Sequence, residues 1–129
     1  MLVKKLTVAA MTGVLALTGT SAFAESASTS LSNGTLTISE EDGCKVTGNC
    51  SLYYSSTAYK KTGGSKVDIR LGMTTSKELF LDDWKTISKG QTLSHSWGGK
   101  KKSAVPDCTI VGYMKASTGD YYTPPVNVC

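Results

Sequence analysis

The sequence predicts an all-β fold: a small antiparallel β-sandwich or barrel of about seven short strands, braced by disulfides. Three observations carry that prediction. Apolar and polar residues alternate in several short stretches, turn signals separate those stretches roughly every 8–12 residues, and four cysteines occur in a chain of 129 residues.

The alternation is clearest where Val67, Ile69, Leu71 and Met73 interleave with Lys66, Asp68, Arg70 and Gly72. Period two sends one set to a core and the other to water. The stretch from Tyr53 to Thr62 precedes it, and Gly63-Gly64 supplies a turn, so the two arms are expected to pair as a hairpin. That pairing sets Val67 opposite Lys60 and Ile69 opposite Ala58. It also places Tyr53, Thr57 and Tyr59 on the outer face, beside Asp68 and Arg70.

The chain ends on a second hairpin. Thr118 and Gly119 lie midway between Cys108 and Cys129, so a two-residue turn there sets the cysteines opposite each other at a close, non-hydrogen-bonded position. Pro124 has no N–H to give the ladder, so a bulge or an edge is expected beside it. Three pairings of four cysteines are possible. Proximity favours Cys44–Cys50 and hairpin symmetry favours Cys108–Cys129. A four-cysteine zinc site is disfavoured, because C-x5-C and C-x20-C lack the paired short knuckles of such sites. No metal or cofactor is expected.

Met1 to Ala24 reads as a signal peptide. Lys4 and Lys5 precede an apolar run from Leu6 to Leu17, and Ala22-Phe23-Ala24 is a small-x-small cleavage pattern. The run is shorter than the roughly 20 apolar residues of a membrane-spanning helix. The expected location is therefore extracellular, or periplasmic in a source with an outer membrane, and no membrane span is expected. Removing the segment leaves 105 residues with 12 basic and 10 acidic side chains, a balance that does not call for nucleic acid. Residues 25–34 are Ser/Thr-rich and read as a flexible leader, and residues 35–129 as one all-β domain, expected to be a monomer.

The remaining elements follow in order. Thr35 to Ser39 alternates as a strand after an Asn33-Gly34 turn signal. Thr74 to Ile87 supports either a short helix capped by Thr75 or Ser76, or a strand, and the strand agrees with its surroundings. Leu93, His95 and Trp97 share one strand face, and Gly98-Gly99-Lys100-Lys101-Lys102 reads as an exposed, mobile loop. Trp84, Trp97 and Phe80 are expected in the core.

The chemistry is sparse. His95 is the only histidine, and no Gly-x-Ser-x-Gly turn accompanies it, so a triad with Asp82 or Asp83 has no support. Neighbouring strand residues face opposite ways, so Asp82 and Asp83 do not converge. No Trp-Arg-Tyr turn of the disulfide-linked amylase inhibitors is present, and Cys44-x5-Cys50 lacks the inter-sheet spacing of immunoglobulin-like domains.

Binding is the reading that remains. Tyr53, Tyr59, Tyr121 and Tyr122 are the candidate aromatic anchors, and Lys100, Lys101 and Lys102 the candidate attractors of negative charge. The expectation is a small secreted, non-enzymatic binding protein acting on an extracellular protein or cell-envelope polymer. The alternatives are an antibacterial, bacteriocin-like toxin acting at the envelope, and a hydrolase inhibitor or small hydrolase.

Overall fold

The computed structural model describes residues 25–129, and the signal-peptide reading of residues 1–24 lies outside the described residues. Among the described residues ten strands form two antiparallel sheets packed face to face, against the seven or so expected, because short pairing segments add to the count. The first sheet runs β1 (Glu25–Leu31), β2 (Gly34–Asp42), β3 (Leu52–Lys61) and β7 (Thr92–Lys101), in that spatial order. The second has β4 (Val67–Thr74) and β8 (Thr109–Ala116) at its centre. Short strands β5 (Leu79–Leu81) and β6 (Lys85–Ile87) pair with the free side of β4, while β9 (Gly119–Tyr122) and β10 (Val126–Asn127) pair with that of β8. The all-β, disulfide-braced expectation is met as an open sandwich. Two disulfides, Cys44–Cys50 and Cys108–Cys129, are those favoured from the sequence.

Alternation drives the packing. Leu36 and Ile38 of β2, Ile69, Leu71 and Met73 of β4, and Ile110 and Met114 of β8 all point between the sheets and are buried. A hydrogen bond from Thr57 Oγ1 to the Gly72 carbonyl (2.8 Å) crosses the same interior. Trp97 is the extra residue of a bulge in β7, with its indole donating to Thr57 Oγ1 at 3.1 Å.

Several expectations need correction. The segment of residues 25–34 is no flexible leader: β1 forms a full ladder with β2, turning at Ser32-Asn33, and it packs Ala27 and Leu31 against the core. Its apolar contribution is small, but cross-strand pairing satisfies its backbone. The expected Tyr53–Met73 hairpin does not form either. β3 is flanked on both sides by β2 and β7, so residues 62–66 cross to the other sheet instead. Gly63-Gly64 passes over the β1–β2 turn, where Thr62 N and Gly63 N both donate to the Asn33 carbonyl.

The face of β3 reverses as a consequence. Tyr53 and Tyr59 point inward and are only 1% and 4% exposed, so neither lies on the expected outer face. The Gly98–Lys102 stretch is likewise not a mobile loop. Lys100 and Lys101 end β7 in a ladder with β3, and Lys102 opens a 3₁₀ turn (Lys102–Ala104). Gly98 takes a left-handed φ of 77° beside the bulge, and at Gly99 a Cβ would meet the Tyr54 ring (2.9 Å to its hydroxyl). These glycines serve close packing. Trp84, expected inside, is 49% exposed in the β5–β6 connection, while Phe80 and Trp97 do pack on the core. The strand choice for residues 75–87 holds, and Thr75 Oγ1 caps only a turn, accepting from Lys77 N and Glu78 N.

The C-terminal hairpin reaches the expected disulfide by a different register. The turn is Ser117-Thr118, one residue early, with Ala116 opposite Gly119. From Tyr113:Tyr122 to Ile110:Val126 the returning strand spends one residue more than β8, and the extra residue falls at the prolines. Thr123 bridges the gap, its N donating to the Gly112 carbonyl (2.9 Å) and its hydroxyl accepting from Gly112 N (2.8 Å). A second extra residue precedes Cys129, beside Cys108 at φ 59°. The two together restore the cysteine pair, with Cα atoms 5.2 Å apart.

Glu40 follows Leu36 and Ile38 on the inward face of β2, opposite Glu25 on one side and Ser55 on the other. Desolvation first, then Glu25 and Asp42, push its carboxyl up to about 7. A raised folded value means that Glu40 contributes stability below about pH 4.5 and loses it as the pH rises through 7. Glu40→Gln is therefore expected to be more stable than the wild type by about 1 kcal/mol at pH 8, solvent screening moderating the gain. At pH 4 the two should coincide. Urea denaturation midpoints at the two pH values check this.

Candidate functional site

The outer face of the second sheet carries three exposed large apolar side chains, Leu79, Leu81 and Tyr122. Register alone builds it. Tyr122 of β9 lies opposite Tyr113 of β8, Tyr113 opposite Gly72 of β4, and Gly72 opposite Leu81 of β5, one row across four strands. Val111, Thr74 and Leu79 form the next row. Gly72 is what lets the first row close. A Cβ there would lie 2.7 Å from the Tyr113 ring and 3.0 Å from Leu81, so the two side chains meet over bare backbone. Tyr122 then stacks on Tyr113, ring centroids 5.1 Å apart, and is itself 55% exposed.

A charged row borders the apolar one. Asp120, Lys115 and Arg70 occupy successive strands, with Lys115 Nζ 3.6 Å from Asp120 Oδ1. The Tyr113 hydroxyl donates to Asp120 Oδ1 at 2.7 Å. Burial and that hydrogen bond push the Tyr113 phenol up to about 12, so the ring stays neutral and fixed at ordinary pH. Arg70 Nε donates to the Asp82 carbonyl at 2.6 Å, tying the β5–β6 connection to the same edge.

The sequence-derived candidates divide among separate places. Tyr122 is on this face. Tyr121, its neighbour, points inward and meets Tyr59 at a cavity of about 400 Å³ at one end of the sandwich. Tyr53 joins Lys100 and Lys101 at a second cavity, about 250 Å³, with Glu78 and Phe80. The three lysines sit in different surroundings. Lys100 Nζ sits 4.0 Å above the Phe80 ring, and Lys102 Nζ pairs with Asp42 Oδ1 at 3.1 Å, leaving Lys101 as the exposed one. Tyr113, Leu79 and Leu81 were missed. Tyr113 was open to inference, because Ile110 and Met114 as inward residues force it outward.

His95 Nδ1 lies 3.2 Å from Asp82 Oδ2, and Lys85 Nζ lies 2.8 Å from that same oxygen. The hydrogen bond from Lys85 leads in holding the Asp82 carboxyl below its ordinary value. His95 also packs on Trp97, centroids 4.5 Å apart. The nearby Thr57 hydroxyl is committed to the Gly72 carbonyl and the Trp97 indole. Among the described residues no serine hydroxyl hydrogen-bonds to His95, and no group of three or more His, Cys, Asp or Glu is placed to hold a metal ion. No helix of the described residues is long and apolar enough to cross a membrane.

Comparison with protein-family models, with curated proteins and with solved structures finds no match to the chain.

Proposed function

We propose that the chain is a small secreted, non-enzymatic binding protein that holds an extracellular protein on the outer face of its second sheet. The observation that carries this reading is the Tyr122–Tyr113–Gly72–Leu81 row, in which Tyr122 and Leu81 are exposed over the buried Tyr113 ring and Gly72, bordered by Asp120, Lys115 and Arg70. An aromatic and aliphatic centre with a charged rim is the composition of protein interfaces, and large tyrosine surfaces are favoured anchors there. Two disulfides suit an oxidising compartment, and the apolar N-terminal run followed by Ala22-Phe23-Ala24 supplies the export signal. The envelope-directed reading rests on small size, export, slight positive charge and the Lys100–Lys102 stretch. With Lys100 over Phe80 and Lys102 paired to Asp42, the protein-binding face is the preferred reading.

The test uses residues 25–129 to capture a partner from culture fluid and envelope extracts, followed by affinity measurement on the isolated pair. Tyr122→Ala is expected to weaken binding about 30-fold, the effect of losing an interface anchor of about 2 kcal/mol. His95→Ala should leave affinity unchanged. Wild-type affinity in both Tyr122→Ala and Leu81→Ser would contradict the placement. A folded His95→Ala variant without activity would contradict the non-enzymatic reading.

A further inference from the structure

A second, unrelated site lies between the sheets. Three connections meet at one end of the sandwich: the β1–β2 turn with Ser32-Asn33, the crossing that includes Ser65 and Lys66, and the β8–β9 turn with Ser117-Thr118. They frame the opening of the cavity of about 400 Å³, a volume at the lower end of small-molecule sites. Its floor is apolar, because Ile69 and Met114 belong to the hydrophobic core, and Leu31 and Val67 pack beside them.

One side chain does not suit such a floor. Lys61, the last inward position of β3, is 2% exposed and lines this cavity. Among the described residues no carboxylate lies within ion-pair distance of it. No acidic residue lines the cavity at all, whereas Lys66 adds a second positive charge at its mouth. Burying an ammonium without a counter-charge is costly, and a methionine of similar shape would fill the position without that cost. Lys61 instead lines an open cavity whose rim is polar and whose floor is apolar, with no counter-charge from the described residues. Around the opening, Ser32, Asn33, Ser117 and Thr118 offer neutral donors, and the Thr118 and Tyr121 hydroxyls are already linked at 2.7 Å.

We infer that this cavity binds a small amphiphilic carboxylate, its apolar body on Ile69 and Met114 and its carboxylate on the Lys61 ammonium. The charge supplies the missing partner of Lys61, and the floor supplies a reason for the ligand to carry several carbons rather than being a bare anion. The site faces the interior and shares no residue with the Tyr122 row, so it stands or falls independently of the protein-binding reading.

Titration of residues 25–129 with octanoate, octanol and acetate, followed by NMR chemical shifts, separates the contributions. Octanoate is expected to shift Lys61, Met114 and Tyr121 resonances saturably. Octanol should bind at least 10-fold more weakly, and acetate should leave these resonances unmoved. Lys61→Met should lose octanoate affinity at least 10-fold while keeping that for octanol. Ala116→Leu fills the cavity with the charge intact and should reduce both. The inference is overturned if octanoate gives no saturable shift, if octanol matches octanoate, or if Lys61→Met binds octanoate like the wild type. Should either variant fail to fold, the wild-type ranking of the three probes alone decides.

Discussion

Replacing Tyr59 with alanine is expected to remove about 3–4 kcal/mol of stability, the range for truncating a buried aromatic. Tyr59 lies in the interior with Leu36, Ile69, Leu71, Ile87 and Met114. Its ring also rests on Gly34, where a Cβ would come within 2.7 Å of it, so the residue fills a space formed by two strands of its own sheet and faces the other sheet. The lost surface combines with a cavity that the ladders on both sides of β3 prevent from collapsing. Urea denaturation followed by circular dichroism checks the value. Tyr122→Ala is the contrasting substitution, since an exposed ring should cost no more than about 1 kcal/mol. A Tyr59→Ala protein as stable as Tyr122→Ala would mean that the face of β3 is reversed.

Removing the Cys108–Cys129 bridge with a Cys108→Ser/Cys129→Ser double variant is expected to cost about 3 kcal/mol, against about 2 kcal/mol for Cys44→Ser/Cys50→Ser. The difference follows from loop length, because the first bridge spans 21 residues and the second 6. The C-terminal bridge also secures Val126 and Val128, which belong to the core with Ile38 and Ile110 on a segment whose ladder partner is β8. Against the typical 5–15 kcal/mol of a small domain, either loss is a large fraction. Thermal denaturation of the two variants orders them, and non-reducing peptide mapping of the wild type reads the pairing itself. A larger loss at Cys44–Cys50 would contradict the loop-length account.

What was legible in the sequence was the alternation where the two faces differ strongly in polarity. β4 is the clear case, with Ile69, Leu71 and Met73 against Asp68 and Arg70, and its buried face is as expected. β3 is the opposite case. Tyr53, Ser55, Thr57 and Tyr59 alternate with Tyr54, Ser56, Ala58 and Lys60, two sets of nearly equal polarity, so its face is decided by pairing with β2 and not by its own pattern. The Gly63-Gly64 signal suits a tight hairpin by itself, but the same flexibility serves a crossing between sheets. The lysine stretch misled for a related reason. Two adjacent glycines suggest mobility locally, and only the Tyr54 ring above Gly99 reveals that the missing side chain makes room for a neighbour. The Tyr122 row was only partly visible, because it depends on the register of four strands that are far apart in sequence.

Hydroxyl-radical footprinting of residues 25–129, free and in complex with the captured partner, tests the placement of the binding face most directly. Tyr122, Leu79 and Leu81 should each be oxidised more slowly in the complex, while Tyr54, on the outer face of the first sheet, should be oxidised at the same rate in both. Protection of Tyr54 or of the Cys44–Cys50 loop, with Tyr122 and Leu81 unchanged, would contradict it.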